Sequence, residues 1–151
     1  MFVKELKNLS EEDQKKVLDA PIWISLHAAV SKDGEIDPAE KSEAIKQAHF
    51  RTYSSPIDLH TYYKAVDENF ADRFEEYSKM LPADEEEAEK FISEKVEEIT
   101  QIISHLDKGE FAEQLLKDLQ EFYRYVFRSN SNVFQYFAFP LITNALNNRK
   151  S

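Results

Sequence analysis

The stretch DEEEAEKFISEKVEEITQIISHL, residues 84–106, decides the fold class. Apolar residues recur in it at Ala88, Phe91, Ile92, Val96, Ile99, Ile102, Ile103 and Leu106. Steps of three and four put them all on one face of a helix, because an α-helix turns once in about 3.6 residues. Asp84 stands where an N-cap is needed. Glu85, Glu86 and Glu87 fill the first turn, at the positive end of the helix dipole. Eight acids and two lysines between residues 84 and 98 read as a solvated opposite face. A helix with one oily stripe has to bury it, so the flanking sequence must supply packing partners.

The same period continues on both sides. Before this helix, Leu59, Tyr62, Tyr63, Val66, Phe70, Phe74, Tyr77 and Leu81 form a stripe that Pro82 ends. Ser54, Ser55 and Pro56 break the chain ahead of it. Residues 38–53 form another helix, with Asp37 as N-cap, Pro38 at the first helical position and Glu40 at the third. Ala44, Ile45, Ala48 and His49 are expected to face inward there. From Pro21 to residue 31, Ile22, Leu26, Ala29 and Val30 share a face, with Trp23 and His27 beside it. A short helix over residues 8–18 is opened by Ser10 and the acids Glu11, Glu12 and Asp13.

After residues 107–109, Phe111, Leu115, Leu119, Phe122 and Val126 form a further stripe. A polar turn at 129–132 leads into a last helix over 133–147. That helix is apolar on nearly all sides, and Pro140 is expected to kink it. No alternating strand pattern of useful length occurs. The expected fold is all-α, a compact bundle of about six or seven helices forming a single domain over residues 1–151.

Composition excludes several chemistries. The 151 residues include no cysteine, so disulfides, thiolate zinc sites, iron–sulfur clusters and cysteine nucleophiles are out. The two glycines, Gly34 and Gly109, are too few for a Gly-rich phosphate loop. A net charge of −10 repels a phosphate backbone, so no nucleic-acid partner is expected. The first residues lack an apolar signal core. Residues 133–146 are fewer than the roughly 20 apolar residues of a membrane span. The expectation is a cytoplasmic protein with no membrane span.

The four histidines, His27, His49, His60 and His105, form no Glu-x-x-His or His-Glu-x-x-His pattern, and a semi-buried structural role is expected for His27 and His49. No serine lies in a nucleophile elbow. No catalytic residue is assigned, and the chain is read as a non-enzyme. The pairs Tyr62–Tyr63 and Phe122–Tyr123 belong to a pocket lining or, as is usual at helical spacing, to the core.

Charge is uneven. No acid follows Glu121, whereas Arg124, Arg128, Arg149 and Lys150 do, and eight of the chain's nineteen aromatics fall in the same stretch. Two readings stay open. This end is the densest part of the core, or it is a docking surface for a protein partner or a second copy of the chain, with Phe134, Tyr136, Phe137 and Phe139 in the contact.

One motif carries chemistry. Residues 31–40, SKDGEIDPAE, join two amphipathic helices and place four carboxylates, Asp33, Glu35, Asp37 and Glu40, within eight residues. Gly34 permits the sharp turn. The carboxylates could converge on a hard divalent cation, calcium or magnesium, which prefers oxygen ligands. The stretch fits the second half of an EF-hand loop, but Ala29 and Ser31 fall where the first half needs carboxylates. The structural alternative is that Asp37 and Glu40 cap the helix and Asp33 with Gly34 makes an ordinary turn.

The sequence KDGEIDPAEK, with the apolar helix before it and Ala44 and Ile45 after it, resembles the TerB-like (tellurite-resistance protein B) family. The shared signature is Asp33-Gly34, the apolar Ile36, and Glu40 opening the next helix, and the likeness is clearest over residues 22–48. The resemblance implies an all-helical cytoplasmic module with an internal pseudo-repeat. It also implies an association with stress response and tellurite resistance, and a divalent-cation role for the acidic turns. It brings no established catalysis. A second Asp-Gly turn is expected between the last two helices. Residues 128–134, RSNSNVF, hold neither acid nor glycine there. Three functions follow in order: a non-enzymatic module acting by protein contact, a divalent-cation binder, and a small metal-dependent helical hydrolase using the same carboxylates. Calorimetry separates the first from the others. Cation binding at the turn gives heat with calcium or magnesium that Asp33→Asn with Glu40→Gln removes; a turn that only caps a helix gives none.

Overall fold

Helical periodicity over most of the chain becomes six α-helices in the computed structural model. They are α1 (Glu11–Leu18), α2 (Ala20–Asp33), α3 (Pro38–Ser54), α4 (His60–Ser78), α5 (Glu85–Ser104) and α6 (Glu110–Phe127). Short 3-10 turns occur at Lys4–Leu6 and Ile57–Leu59. The structure describes residues 3–33, 38–106 and 110–127, with side chains for 3–27, 41–106 and 110–123. The expected last helix, 133–147, lies outside the described residues. Among the described residues there is no strand, and the architecture is an all-α bundle.

Local chemistry sets the helix ends. The Ser10 side chain accepts from the Asp13 N–H (3.1 Å) and the Asp84 side chain from the Glu87 N–H (3.1 Å), each satisfying an amide that has no partner inside its helix. Helix α4 stops at Ser78, short of the stop expected at Pro82. Its last carbonyls are taken by tighter turns, Met80 N–H to Tyr77 and Leu81 N–H to Ser78.

The centre of the bundle is α2. Every side chain from Ala20 to His27 is buried. The sequence pattern places one face of this helix inward. The structure instead surrounds it, with α5, α6, α4, α3 and α1 all packed against it. Ser25 is tolerated there because its Oγ donates to the Pro21 carbonyl (2.7 Å), within its own helix. Around α2, the stripes of α4, α5 and α6 turn inward as their spacing predicts. Tyr62, Tyr63, Phe70, Phe74, Ile92, Ile103, Leu115, Leu119 and Phe122 are all fully buried. The Tyr62–Tyr63 and Phe122–Tyr123 pairs are core, not pocket lining.

Helix α3 packs most extensively on α4. Its inward line is Ala44, Ala48 and Arg51, and the two small residues let the helices approach closely. His49 therefore does not face inward. It lies one step off the Ala48 line, exposed, with its Nδ1 3.0 Å from the Asp67 carboxylate of α4.

Polar groups also cross the core. Arg51 Nη1 donates to Asp118 Oδ1 at 2.8 Å, joining α3 to α6 with both side chains buried, and the guanidinium sits 5.8 Å from the Phe122 ring centre. Removing one member of such a pair leaves a buried charge and costs about 3–5 kcal/mol. At the α1–α2 corner, Asp19 accepts from Arg73 Nη1 (2.8 Å) and from the Tyr77 hydroxyl (2.6 Å), while the Tyr62 hydroxyl donates to the Val17 carbonyl (2.7 Å). All three donors come from α4, so α4 holds that corner in place.

Buried His27 gives the fold a pH signature. Burial pushes its pKa down to about 3, so the folded protein keeps the ring neutral at physiological pH. The unfolded chain takes up the proton first, near pH 6.5. The stability this histidine contributes is therefore complete above that pH and drains as pH falls toward 3, by at most about 1.4 kcal/mol per pH unit. Asp19, whose pKa burial raises, acts in the opposite sense, since the folded state takes up its proton first. Comparing denaturant midpoints of the wild type and His27→Gln between about pH 6 and pH 4 isolates the histidine. A shallower loss in the variant is expected; parallel losses contradict it.

Candidate functional site

Of the acidic motif, Lys32 and Asp33 belong to α2, which runs past the end expected near residue 31, and Pro38 to Glu40 belong to α3. Helix α2 ends at Asp33 and α3 begins at Pro38. Glu35 and Asp37, and the side chains of Asp33 and Glu40, lie outside the described residues. So does the segment with Phe134, Tyr136, Phe137 and Phe139. Among the described residues, no group of three or more histidines and carboxylates is placed to hold a metal ion. The histidines do not converge. His49 pairs with Asp67, His60 Nε2 donates to the Ser55 carbonyl (2.8 Å), His105 Nδ1 donates to the Gln101 carbonyl (2.7 Å), and His27 is in the core. His105 thus serves the end of α5, while His60, at the start of α4, reaches back to the carbonyl that follows α3.

Two surface features stand out, and the helical patterns singled out neither. The first is the outer edge of α3. Because Ala44, Ala48 and Arg51 fill the contact with α4 and α6, the large residues Phe50 and Tyr53 point away from it. They are 49% and 62% exposed, and Ile57 on the following 3-10 turn is 80% exposed. The Phe50 and Tyr53 rings meet edge to face at 5.3 Å, and Tyr53 meets His49 the same way at 6.2 Å. A shallow groove of about 570 Å³ runs along this edge, lined by Glu43, Ile45, Lys46, Gln47, His49, Phe50 and Tyr53. The available sequence signal was the pair of small residues at 44 and 48, which marks the close-packed side of the helix and so the opposite side as outer.

The second feature is a cleft of about 300 Å³ between α1, α2, α4 and α5. Trp23 stacks on Tyr77 with ring centres 4.8 Å apart and planes 4° from parallel, and Phe91 meets Trp23 edge on at 5.8 Å. Lys95 Nζ lies 6.0 Å from the Trp23 ring centre and 5.4 Å from that of Phe91, a cation over aromatic faces. Asp19 borders the cleft. Burial raises its pKa, against the opposing pull of the Tyr77 hydrogen bond, the Arg73 charge and the Lys15 charge. Lys16 is held by Glu98 (2.6 Å), Glu12 (3.4 Å) and Asp13 (4.0 Å), and the Glu98 hydrogen bond in particular raises its pKa. The cleft thus has the buried Trp23–Tyr77 stack at its base and seven charged side chains, four carboxylates and three lysines, around it.

No protein-family model matches the chain, and no curated protein or solved structure matches it.

Proposed function

We propose that the protein is a non-enzymatic, TerB-like helical module that works through protein contacts, with the outer edge of α3 as the contact surface. The observation that supports this reading most directly is the cluster of Phe50, Tyr53 and Ile57 in solvent. A single exposed apolar residue is ordinary, but two large aromatics along one helix edge beside a groove, with a third large apolar residue on the turn that follows, have the composition of an interface centre. Aromatic side chains at such a place carry most of the binding energy of protein contacts, because they bury much area and lose little rotamer freedom. The stress-associated part of the reading rests on the motif at residues 32–41.

A photo-crosslinking residue at position 53, expressed in the native host, tests this. A discrete adduct with one partner is expected. Phe50→Glu with Tyr53→Glu should weaken the purified partner's binding by about tenfold or more while leaving the circular dichroism unchanged. Adducts no more discrete than those from a crosslinker at exposed Lys90 overturn the reading.

A further inference from the structure

We propose that the outer edge of α3 is a two-fold interface between copies of this chain. The inference rests on the reading of that edge as a contact surface, and it names what covers it. A net charge of −10 sets two copies against each other, because like charges brought together oppose association. A second copy therefore docks where exposed carboxylates are absent. The other helices with exposed side chains all present acids: Glu11 on α1, Glu68 and Asp72 on α4, Glu94 and Glu97 on α5, and Glu121 on α6. Helix α3 differs. Among its described side chains, the exposed ones are Ser42, Lys46, His49, Phe50, Tyr53 and Ser54. Two carboxylates border this line, and each is half-buried and engaged within its own chain. Glu43 accepts from Gln47 Nε2 (3.3 Å), and Asp67 is paired with His49.

The spacing fits a copy of the same helix. Lys46, Phe50 and Tyr53 follow one another at steps of four and three, the steps by which one helix lies along another. The line is self-complementary when the second helix runs antiparallel. With the two-fold axis between Phe50 and Tyr53, each Phe50 meets the other copy's Tyr53. The apolar stem of each Lys46 then reaches the other copy's Ile57, on the turn after α3. The shallow groove along the same edge gives the opposing rings a seat. The area agrees. A large aromatic side chain carries roughly 150–250 Å², so the exposed parts of Phe50, Tyr53 and Ile57 leave about 350 Å² of apolar surface on each copy. With Lys46, Gln47 and His49 around them, two copies bury about 1,000 Å² in total, the low end for a specific interface and the class of reversible contacts.

Sedimentation velocity of the purified chain, from micromolar to millimolar concentration, tests this. A monomer–dimer equilibrium is expected. Raising salt from about 0.02 M to about 0.2 M should tighten the dimer several-fold, because salt screens the repulsion between two acidic bodies and the apolar contact is untouched. Phe50→Glu with Tyr53→Glu should stay monomeric, and Ile57→Glu should weaken the dimer by about tenfold. Asn8→Glu with Gln101→Glu adds the same two charges at exposed positions before α1 and on α5, and should leave most of the dimer intact. Circular dichroism on each variant separates lost association from lost fold. A dimer that survives Phe50→Glu with Tyr53→Glu, one that weakens with salt, or equal loss in the charge-matched variant overturns the proposal. A monomer throughout, with the crosslinker at position 53 trapping a protein of another mass, overturns the second copy as occupant while the edge stands as a contact surface.

Discussion

Burial of α2 on every side is the constraint on which the rest of the bundle depends. A run from Ala20 to His27 with no exposed side chain is stable only if each flank of the helix has a partner. Five helices supply those partners. This explains the placement of the amphipathic stripes, each of which meets α2 or a neighbour that meets it. It also explains the neutral His27, since a charged ring at that position has no water to solvate it.

Enclosing one helix by five creates corners, and polar side chains hold them. Asp19 with Arg73 and Tyr77 fixes the α1–α2 corner against α4, while Arg51 with Asp118 fixes α3 against α6 across 67 residues of chain. Such buried pairs add little net stability compared with apolar residues of the same volume, but they admit few alternative registers of one helix against another. The two surface features follow from the same packing. The alanines that bring α3 close to α4 push Phe50 and Tyr53 outward. The Asp19 corner leaves a cleft walled by Trp23 and Tyr77. Fold and candidate interfaces are therefore consequences of one arrangement, not separate additions.

Much of this was legible in residue spacing. The stripes of α4, α5 and α6 predict their buried faces because each is long and regular, and Ser10 and Asp84 cap α1 and α5 as their positions predict. The helix before the acidic turn was harder to read. Its apolar residues leave no polar face, so period alone could not say that the helix is enclosed. His49 was misplaced because a helical wheel weighs histidine by its ring, whereas the contact with α4 selects the smallest side chains, Ala44 and Ala48. Arg51 and Asp118 were invisible for another reason. A pair 67 residues apart leaves no local pattern. The Trp23 cleft is hidden for the same reason, since four helices make it, whereas the outer edge of α3 lies on one helix and its signal is the small pair Ala44 and Ala48 on the opposite side. The motif that did stand out, residues 33–40, carries its side chains outside the described residues and so contributes its position between α2 and α3 alone.

Hydrogen exchange resolved by residue measures the enclosure of α2 directly. The amides from Ile22 to His27 should exchange only when the whole protein unfolds, with an opening free energy equal to the global stability, while those of α1 open earlier. Exchange of residues 22–27 as fast as in α1 would mean that α2 is not the axis of the bundle, and the arrangement described for its neighbours would fall with it.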